Sequence, residues 1–290
     1  MSKVSNPGER RVEILRTPPD SILFLTSHFQ NEAEVRAFTD HVLSLRHSSS
    51  LFIAIADNSR NLSPIPRKEV FVITPPRNLG YLPGCAHAFE AWLAEHGALP
   101  EWVAVTNTDL RLAPDFLLRL ETLALPLAAS VIAPDILLPG GARQNPLLRE
   151  RPSARTMQTY ARLMQGVAFA AMFELTVRAR HMFRAFSPPQ KCDTGPASIY
   201  APHGSLVLFR RTFFERGGRL TYAARMYGEE IHIAEQARRA GVGVVWCRDL
   251  VAHHFEHSTT SRVPVLLRSE WRAESARLLF NEYFRSEVAA

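Results

Sequence analysis

Cysteine is scarce in this chain: Cys85, Cys192 and Cys247 are the only three in 290 residues, far apart and with no CxxC pair. An odd, scattered set argues against a disulfide framework and favours a reducing, cytosolic setting. Long apolar runs are missing too. No stretch of 18 apolar residues exists, so no spanning helix is expected, and Met1 to Arg16 is charged without the apolar core of a signal peptide. There is no GxxxxGK[ST] loop, no GxGxxG and no GxSxG. These absences remove P-loop, dinucleotide-binding and serine-hydrolase readings. Arginines are scattered with no dense basic block, zinc-finger or RNP-like signature, so no nucleic-acid partner is expected.

What is present is a globular composition, 46% hydrophobic and 21% charged, with a net charge of +6 that comes mostly from arginine. That balance suits an anionic partner such as a nucleotide phosphate or an acidic membrane surface. The apolar runs 22–26, 51–56, 70–73 and 102–105 read as buried strands, separated by helical patterns at 31–45 and 84–96. Three of these strands end in polar clusters: Ser27-His28, Asp57-Asn58-Ser59 and Asn107-Thr108-Asp109. The alternation implies an α/β fold with a mostly parallel sheet and helices on both faces, whose carboxyl strand ends are where ligands bind. Asn and Asp at such exits also serve ordinary turns.

Beyond residue 114 a helix is expected to 125, a strand at 130–134, and a Pro-, Gly- and Arg-rich loop at 138–155. A helical pattern runs from 156 to 186 and a basic amphipathic one from 264 to 284. Each is either a packed helix or a membrane-docking one, basic on one side and rich in Phe, Met and Leu on the other. Between them lie a strand at 206–209, a well-marked helix at 228–241 and a strand at 242–247. With no repeat and no clear boundary, the chain reads as one domain over 1–290. Its parts are a nucleotide-binding half (20–135), a helical insertion (140–190), a second half (195–260), to which the resemblance given below assigns acceptor binding and catalysis, and a C-terminal helix (264–290).

Two constellations carry chemistry. Glu229 and Glu230 open the 228–241 helix; an acidic first turn answers the helix dipole, and in a cleft one carboxylate of such a pair also serves as general base. His253, His254, Glu256 and His257 follow a strand, and imidazoles beside a carboxylate suit a divalent metal. Asp109 can complete a hard-cation site with diphosphate oxygens.

The order of these motifs resembles the GT-A-fold glycosyltransferases of family 2, in particular the bacterial rhamnosyltransferase-like branch. Asp57-Asn58-Ser59 resembles the element whose aspartate contacts the nucleotide base. Asn78-Leu79-Gly80-Tyr81 with Gly84 resembles the loop near the nucleotide. Asn107-Thr108-Asp109 stands in place of the DxD metal motif, Gly228-Glu229-Glu230 in place of the catalytic "xED", and His253 to Ser258 in place of a histidine-bearing segment. Three departures stand out: Asn107 replaces the first DxD acid, the base position is Glu, and Cys85-Ala86 replaces two asparagines.

The resemblance implies a three-layer nucleotide-binding fold and an inverting transferase using Mn²⁺ or Mg²⁺ and a UDP- or dTDP-sugar. The acceptor would be a glycan or lipid-linked glycan of bacterial surface polysaccharide, and the setting the cytoplasm or the inner face of its membrane. It places the base at Glu230 beside Glu229. Donor contacts would come from Thr26, His28, Asp57, Asn58, Asn78, Gly80 and Asn107. The metal would sit at Asp109 and His253, with His254 or His257 as alternative ligands. A nucleotide-sugar or glycan-binding protein without catalysis is the alternative.

Overall fold

The computed structural model describes residues 14–15, 21–126, 128–166, 169–170, 172–173, 176, 196–255 and 263–288. The first half alternates as expected. Strand β1 (Ile14–Leu15) pairs with β7 (Leu125–Pro126) in a separate two-stranded sheet. Then come β2 (Ser21–His28), α1 (Glu32–Ser44), β3 (Ser50–Asp57), β4 (Val70–Ile73), α2 (Leu82–His96) and β5 (Trp102–Thr106). Val35, Phe38 and Val42 recur at helical spacing and form the buried stripe of α1, while all five residues of β5 are buried. Helix α2 carries proline in its first turn and stops at Gly97 in the left-handed region, a common pairing of start and stop signals.

These strands assemble in the order β4-β3-β2-β5, all parallel. The chain moves outward from β2 to β3 and β4, then returns to the other side of β2 for β5. A topological switch point therefore opens between the carboxyl ends of β2 and β5, at Ser27-His28 and Asn107-Thr108-Asp109.

The second half departs from the mostly parallel expectation. The sheet continues from β5 through β10 (Leu206–Arg210), β8 (Ala129–Leu137), β11 (Gly243–His254) and β6 (Leu110–Leu112), with β9 (Ala197–Ile199) paired to β11. Strand β10 is antiparallel to both β5 and β8, and only β8–β11 is parallel among these. The sheet is mixed because β10 enters at the edge where β5 ends, Leu206 facing Thr106. That return carries His203-Gly204-Ser205 to the switch point.

Two apolar cores sandwich the sheet. On one face α1 and the short α3 (Phe116–Glu121) pack Phe38, Val42, Phe116 and Leu120 against Ile22, Phe24 and Ile53. Helix α3 ends well short of residue 125. On the other face lie α2, α5 (Arg211–Glu215), α6 (Glu229–Arg239) and the end of α7 (Val265–Leu279), which packs Leu279 into the core. Helix α7 runs on through a π turn at Phe280–Phe284 into α8 (Arg285–Val288).

Of the helical pattern at 156–186, α4 (Ala154–Met164) is described; Ser153 caps it by accepting from the Thr156 amide at 3.1 Å. Residues 177–195 lie outside the described residues. Helix α4 packs on α7 through Ala161, Met164 and Ala276. Among the described residues no helix is long and apolar enough to cross a membrane.

Candidate functional site

The β5–β6 turn presents Asp109, and the sheet decides which histidine meets it. Strand β11 is longer than the apolar run 242–247 suggests. It shifts register between Cys247 and Val251 and runs on to His254, pairing there with β6: His253 faces Arg111, and His254 faces Leu110. Phe255 N–H donates to the Asp109 carbonyl at 3.0 Å. Successive strand residues point to opposite faces. His254 turns inward, 6% exposed, and its Nε2 lies 3.1 Å from Asp109 Oδ1. His253 is exposed. The structure therefore brings His254, not His253, to Asp109, because one step along a strand reverses the face. His257 and Ser258 lie outside the described residues.

The edges of β2 and β3 form a second group. His28 Nδ1 donates to Asp57 Oδ1 at 2.8 Å, with both side chains buried. Asp57 also accepts from the amides of Ser59, Arg60 and Leu62. Burial alone would raise its pKa; the hydrogen bonds from His28 and the backbone outweigh that and hold the carboxyl below its ordinary value. The carboxylate expected to read a base is thus engaged in closing its own turn, and among the described residues His28 Nε2 is buried without a hydrogen-bond partner. Thr26 is buried on the same strand. Asn58 bridges to the next loop, its Nδ2 donating to the Gly80 carbonyl at 2.9 Å and its Oδ1 accepting from Leu79 N–H at 3.0 Å. Asn78 Oδ1 accepts from the Gly80 amide at 2.9 Å. Asn107 joins the β10 entrance, its amide donating to the Ser205 carbonyl at 2.8 Å.

The carboxylate pair faces the same entrance. Gly228 caps α6 with φ +77°, and a Cβ there would meet the Tyr222 hydroxyl at 2.9 Å, so only glycine fits in both conformation and space. Tyr227 before it also has positive φ, +69°, an uncommon conformation for an aromatic residue and one concentrated at functional sites. A Cβ placed on Gly204 would lie 3.1 Å from Glu229 Cγ and 3.2 Å from Glu230 Oε1, so both carboxylates crowd that backbone. Burial raises the pKa of both, and the Glu230 charge raises Glu229 further; Arg272 and the Gly204 amide offset part of this for Glu230. The Tyr81 hydroxyl donates to the Gly204 carbonyl at 3.1 Å. Burial, with the nearby Cys85, Glu229, Asp109 and Glu230, pushes its pKa well up.

No protein-family model and no curated protein matches the chain. Solved structures do. The structure of GalNAc-T7 with UDP, GalNAc and Mn²⁺ is similar at a TM-score of 0.51 and 13% identity, over 93% of this chain and 50% of that one. The mannosyltransferase PcManGT from Pyrobaculum calidifontis in complex with GDP-Man and Mn²⁺ is similar at 0.49 and 14%, over 97% and 79%. The fold is of the GT-A type. This chain spans half the length of the GalNAc-T7 chain it matches, and at such identity the likeness concerns the fold alone.

The donor chemistry fits a hard divalent cation of the Mg²⁺ or Mn²⁺ kind. Among the described residues no group of three His, Cys, Asp or Glu side chains converges on one point. At the switch point a carboxylate oxygen and an imidazole nitrogen lie 3.1 Å apart, two atom types that could serve such a cation. Such cations commonly take one or two protein ligands and complete their shell with water and substrate phosphates.

Several residues of this site lie outside the motifs that the sequence singles out. His203 and Ser205 are joined, Nδ1 to Oγ, at 2.9 Å, and the His203 and His254 rings meet edge-on with centroids 6.2 Å apart. Asn31 Nδ2 donates to Thr108 Oγ1 at 2.9 Å, tying the β2–α1 turn to the Asp109 turn. Gln144 and Asn145 reach in from the loop after β8. Only the His-Gly-Ser run before β10 offered a hint, a polar cluster at a strand entrance.

Proposed function

We propose that this chain is an inverting, metal-dependent glycosyltransferase of the family 2, rhamnosyltransferase-like kind. It would move a sugar from a UDP- or dTDP-sugar to a glycan or lipid-linked glycan in bacterial surface polysaccharide synthesis. The observation that carries the reading is the convergence of Asp109–His254 and Glu229–Glu230 on the His203-Gly204-Ser205 entrance at the switch point. A GT-A-type fold shared with GalNAc-T7, whose structure holds UDP, GalNAc and Mn²⁺, supports the donor class.

In this reading the donor lies along the carboxyl edge, against Thr26, His28, Asp57, Asn58, Asn78, Gly80 and Asn107. Glu230 takes the proton of the acceptor hydroxyl as that oxygen attacks the anomeric carbon, and the nucleoside diphosphate leaves from the opposite side. Its raised pKa makes it a stronger proton acceptor than a solvated glutamate, and the Gly204 amide orients it. Asp109 and His254 would hold the divalent cation, which would supply positive charge to offset that of a leaving diphosphate.

Thermal shift with a panel of nucleotide sugars, with and without Mn²⁺, tests the donor site. Turnover of a Glu230→Gln variant that still binds donor tests the base; transfer at the parent rate would remove Glu230 from that role. The lost first acid of the metal motif, Asn107, favours the second reading, a nucleotide-sugar-binding protein without catalysis. Donor hydrolysis that disappears in Asp109→Ala would exclude it. Peripheral membrane contact belongs to the reading through exposed Leu163, Met172, Leu266 and Leu267 on the α4–α7 side. Flotation with anionic liposomes at low salt tests it, and absence of binding removes it.

A further inference from the structure

Gln144 and Asn145 lie in the segment between β8 and α4, and each is only 2% exposed. A buried amide is stabilising only where its hydrogen bonds are made, so two in succession need specific partners. The Gln144 amide donates to the Ile136 carbonyl at 2.9 Å, which fixes the backbone beside β8. Its side-chain Oε1 lies 2.7 Å from His254 Nδ1. Asn145 takes the other histidine: Oδ1 accepts from the His203 amide at 2.7 Å while Nδ2 donates to the Pro134 carbonyl at 2.7 Å. The two consecutive amides thus hold His254 and His203, one by its ring and one by its backbone.

We propose that Gln144 is a positioning residue for cation binding: it keeps the proton of His254 on Nδ1 and so presents Nε2, unprotonated, to a divalent cation shared with Asp109. The proposal rests on the metal-dependent reading above. A neutral imidazole carries one N–H. An amide oxygen at 2.7 Å from Nδ1 accepts an N–H there and aims Nε2 at Asp109 Oδ1, 3.1 Å away. That contact is itself a hydrogen bond when Nε2 also carries a proton; a divalent cation beside Asp109 takes the place of that proton, while the proton on Nδ1 stays with the amide oxygen. If the amide instead donated to Nδ1, the proton would sit on Nε2. His254 and Asp109 would then form a simple hydrogen bond with no lone pair to offer. The orientation of one side-chain amide therefore selects between a metal ligand and a structural pair. A histidine ligand oriented through its second nitrogen loses roughly 10–100-fold in metal affinity when that partner is removed.

The experiment uses the full chain with Mn²⁺ and UDP as probes. Mn²⁺ affinity is measured by electron paramagnetic resonance for the parent, Gln144→Glu and Gln144→Leu, and the His254 tautomer in the metal-free parent by long-range ¹⁵N NMR. The expected result is a proton on Nδ1 in the metal-free parent, a Kd for Mn²⁺ raised about 10–100-fold in Gln144→Leu, and a Kd equal or lower in Gln144→Glu, which keeps an acceptor oxygen. Parent-like Mn²⁺ binding in Gln144→Leu, or an Nε2–H tautomer in the parent, overturns the proposal while leaving the metal reading intact. A parent that binds no Mn²⁺ even with UDP overturns the metal reading and this proposal with it. Should Gln144→Leu not fold, Gln144→Met replaces it and the tautomer measurement decides independently.

Discussion

Arg151 Nε and Glu235 Oε1 lie 2.6 Å apart, although Glu235 is completely buried. The same carboxylate accepts from the Tyr200 hydroxyl at 2.7 Å and from Arg238 Nε at 2.9 Å, and Arg151 reaches on to Glu287 at 2.8 Å. One buried charge thereby joins the segment before α4, the loop after β9, helix α6 and the C-terminal α8. Helix α6 is the element that carries Glu229 and Glu230, so the network sets the position of the proposed catalytic pair from the far end of its helix.

Replacing Glu235 by Ala is expected to destabilise the protein by about 1–3 kcal/mol, because Tyr200, Arg238 and Arg151 lose a shared buried carboxylate while Arg151 keeps Glu287. Urea unfolding measures it. The pH dependence follows from the pKa. Burial alone would raise it; the hydrogen bonds of Arg151, Tyr200 and Arg238 outweigh burial and hold the carboxyl below its ordinary value of 4.5. Its stabilisation is therefore complete above about 4.5 and fades as pH falls through the depressed value. The acid side of the parent's stability curve should be steeper than that of Glu235→Ala; equal slopes would contradict this.

Glu229 and Glu230 carry the opposite sign. Burial raises both above 4.5, so the folded state binds protons more tightly than the unfolded chain. Stability then falls as pH rises from about 4.5 through the raised values, and the loss persists above them. Glu229→Gln removes one of the two crowded charges and should raise Tm more at about pH 8 than at about pH 5. Glu230→Gln should relieve the same repulsion and also lower transfer by about 10²–10⁴-fold, the usual contribution of a general base. Differential scanning fluorimetry and a transfer assay read the two effects. A Glu229→Gln protein whose Tm gain is the same at both pH values would show that the pair is not crowded.

Gly228→Ala tests how tightly the start of α6 is defined. The substitution places a side chain at φ +77° and drives its Cβ toward Tyr222 and Ser275, whose hydroxyls are hydrogen-bonded to each other at 2.8 Å. Conformation costs about 1–2 kcal/mol, and forcing apart a packed contact adds about 1–3 kcal/mol. The expected loss of stability is at least about 2 kcal/mol by urea unfolding. Retained stability would mean that the turn can rearrange.

Much of the first half is legible from local chemistry. Strands β2, β3 and β5 are apolar, β-branched runs with polar exits, and α1, α2 and α6 show buried stripes or marked ends. What stays hidden depends on partners far away in sequence. The antiparallel return of β10 is decided by where its entrance docks, beside Asn107, and an apolar run carries no direction. The carboxylate of Asp57 is in the sequence only a polar strand exit; that His28 and three backbone amides hold it is decided by the fold. Gln144 and Asn145 read as loop residues, and so they are; their role exists only where β11 and β10 bring two histidines to them.

The choice between His253 and His254 is the sharpest such case, because adjacent histidines are equivalent in a sequence and opposed on a strand. The β6–β11 ladder sets the parity: with His254 paired to Leu110 beside the Asp109 turn, His254 points into the site and His253 out to solvent. His254→Ala should therefore weaken Mn²⁺ binding in the presence of UDP by at least about 10-fold, the effect expected when one of two protein ligands is lost. His253→Ala should leave it within about 3-fold, as an exposed side chain on the opposite face. Calorimetric titration of both variants checks the pair together. The reverse result, binding lost with His253 and kept without His254, would require β11 to be shifted by one residue against β6, and a shift of that kind would reverse the facing of every side chain from Val251 to His254.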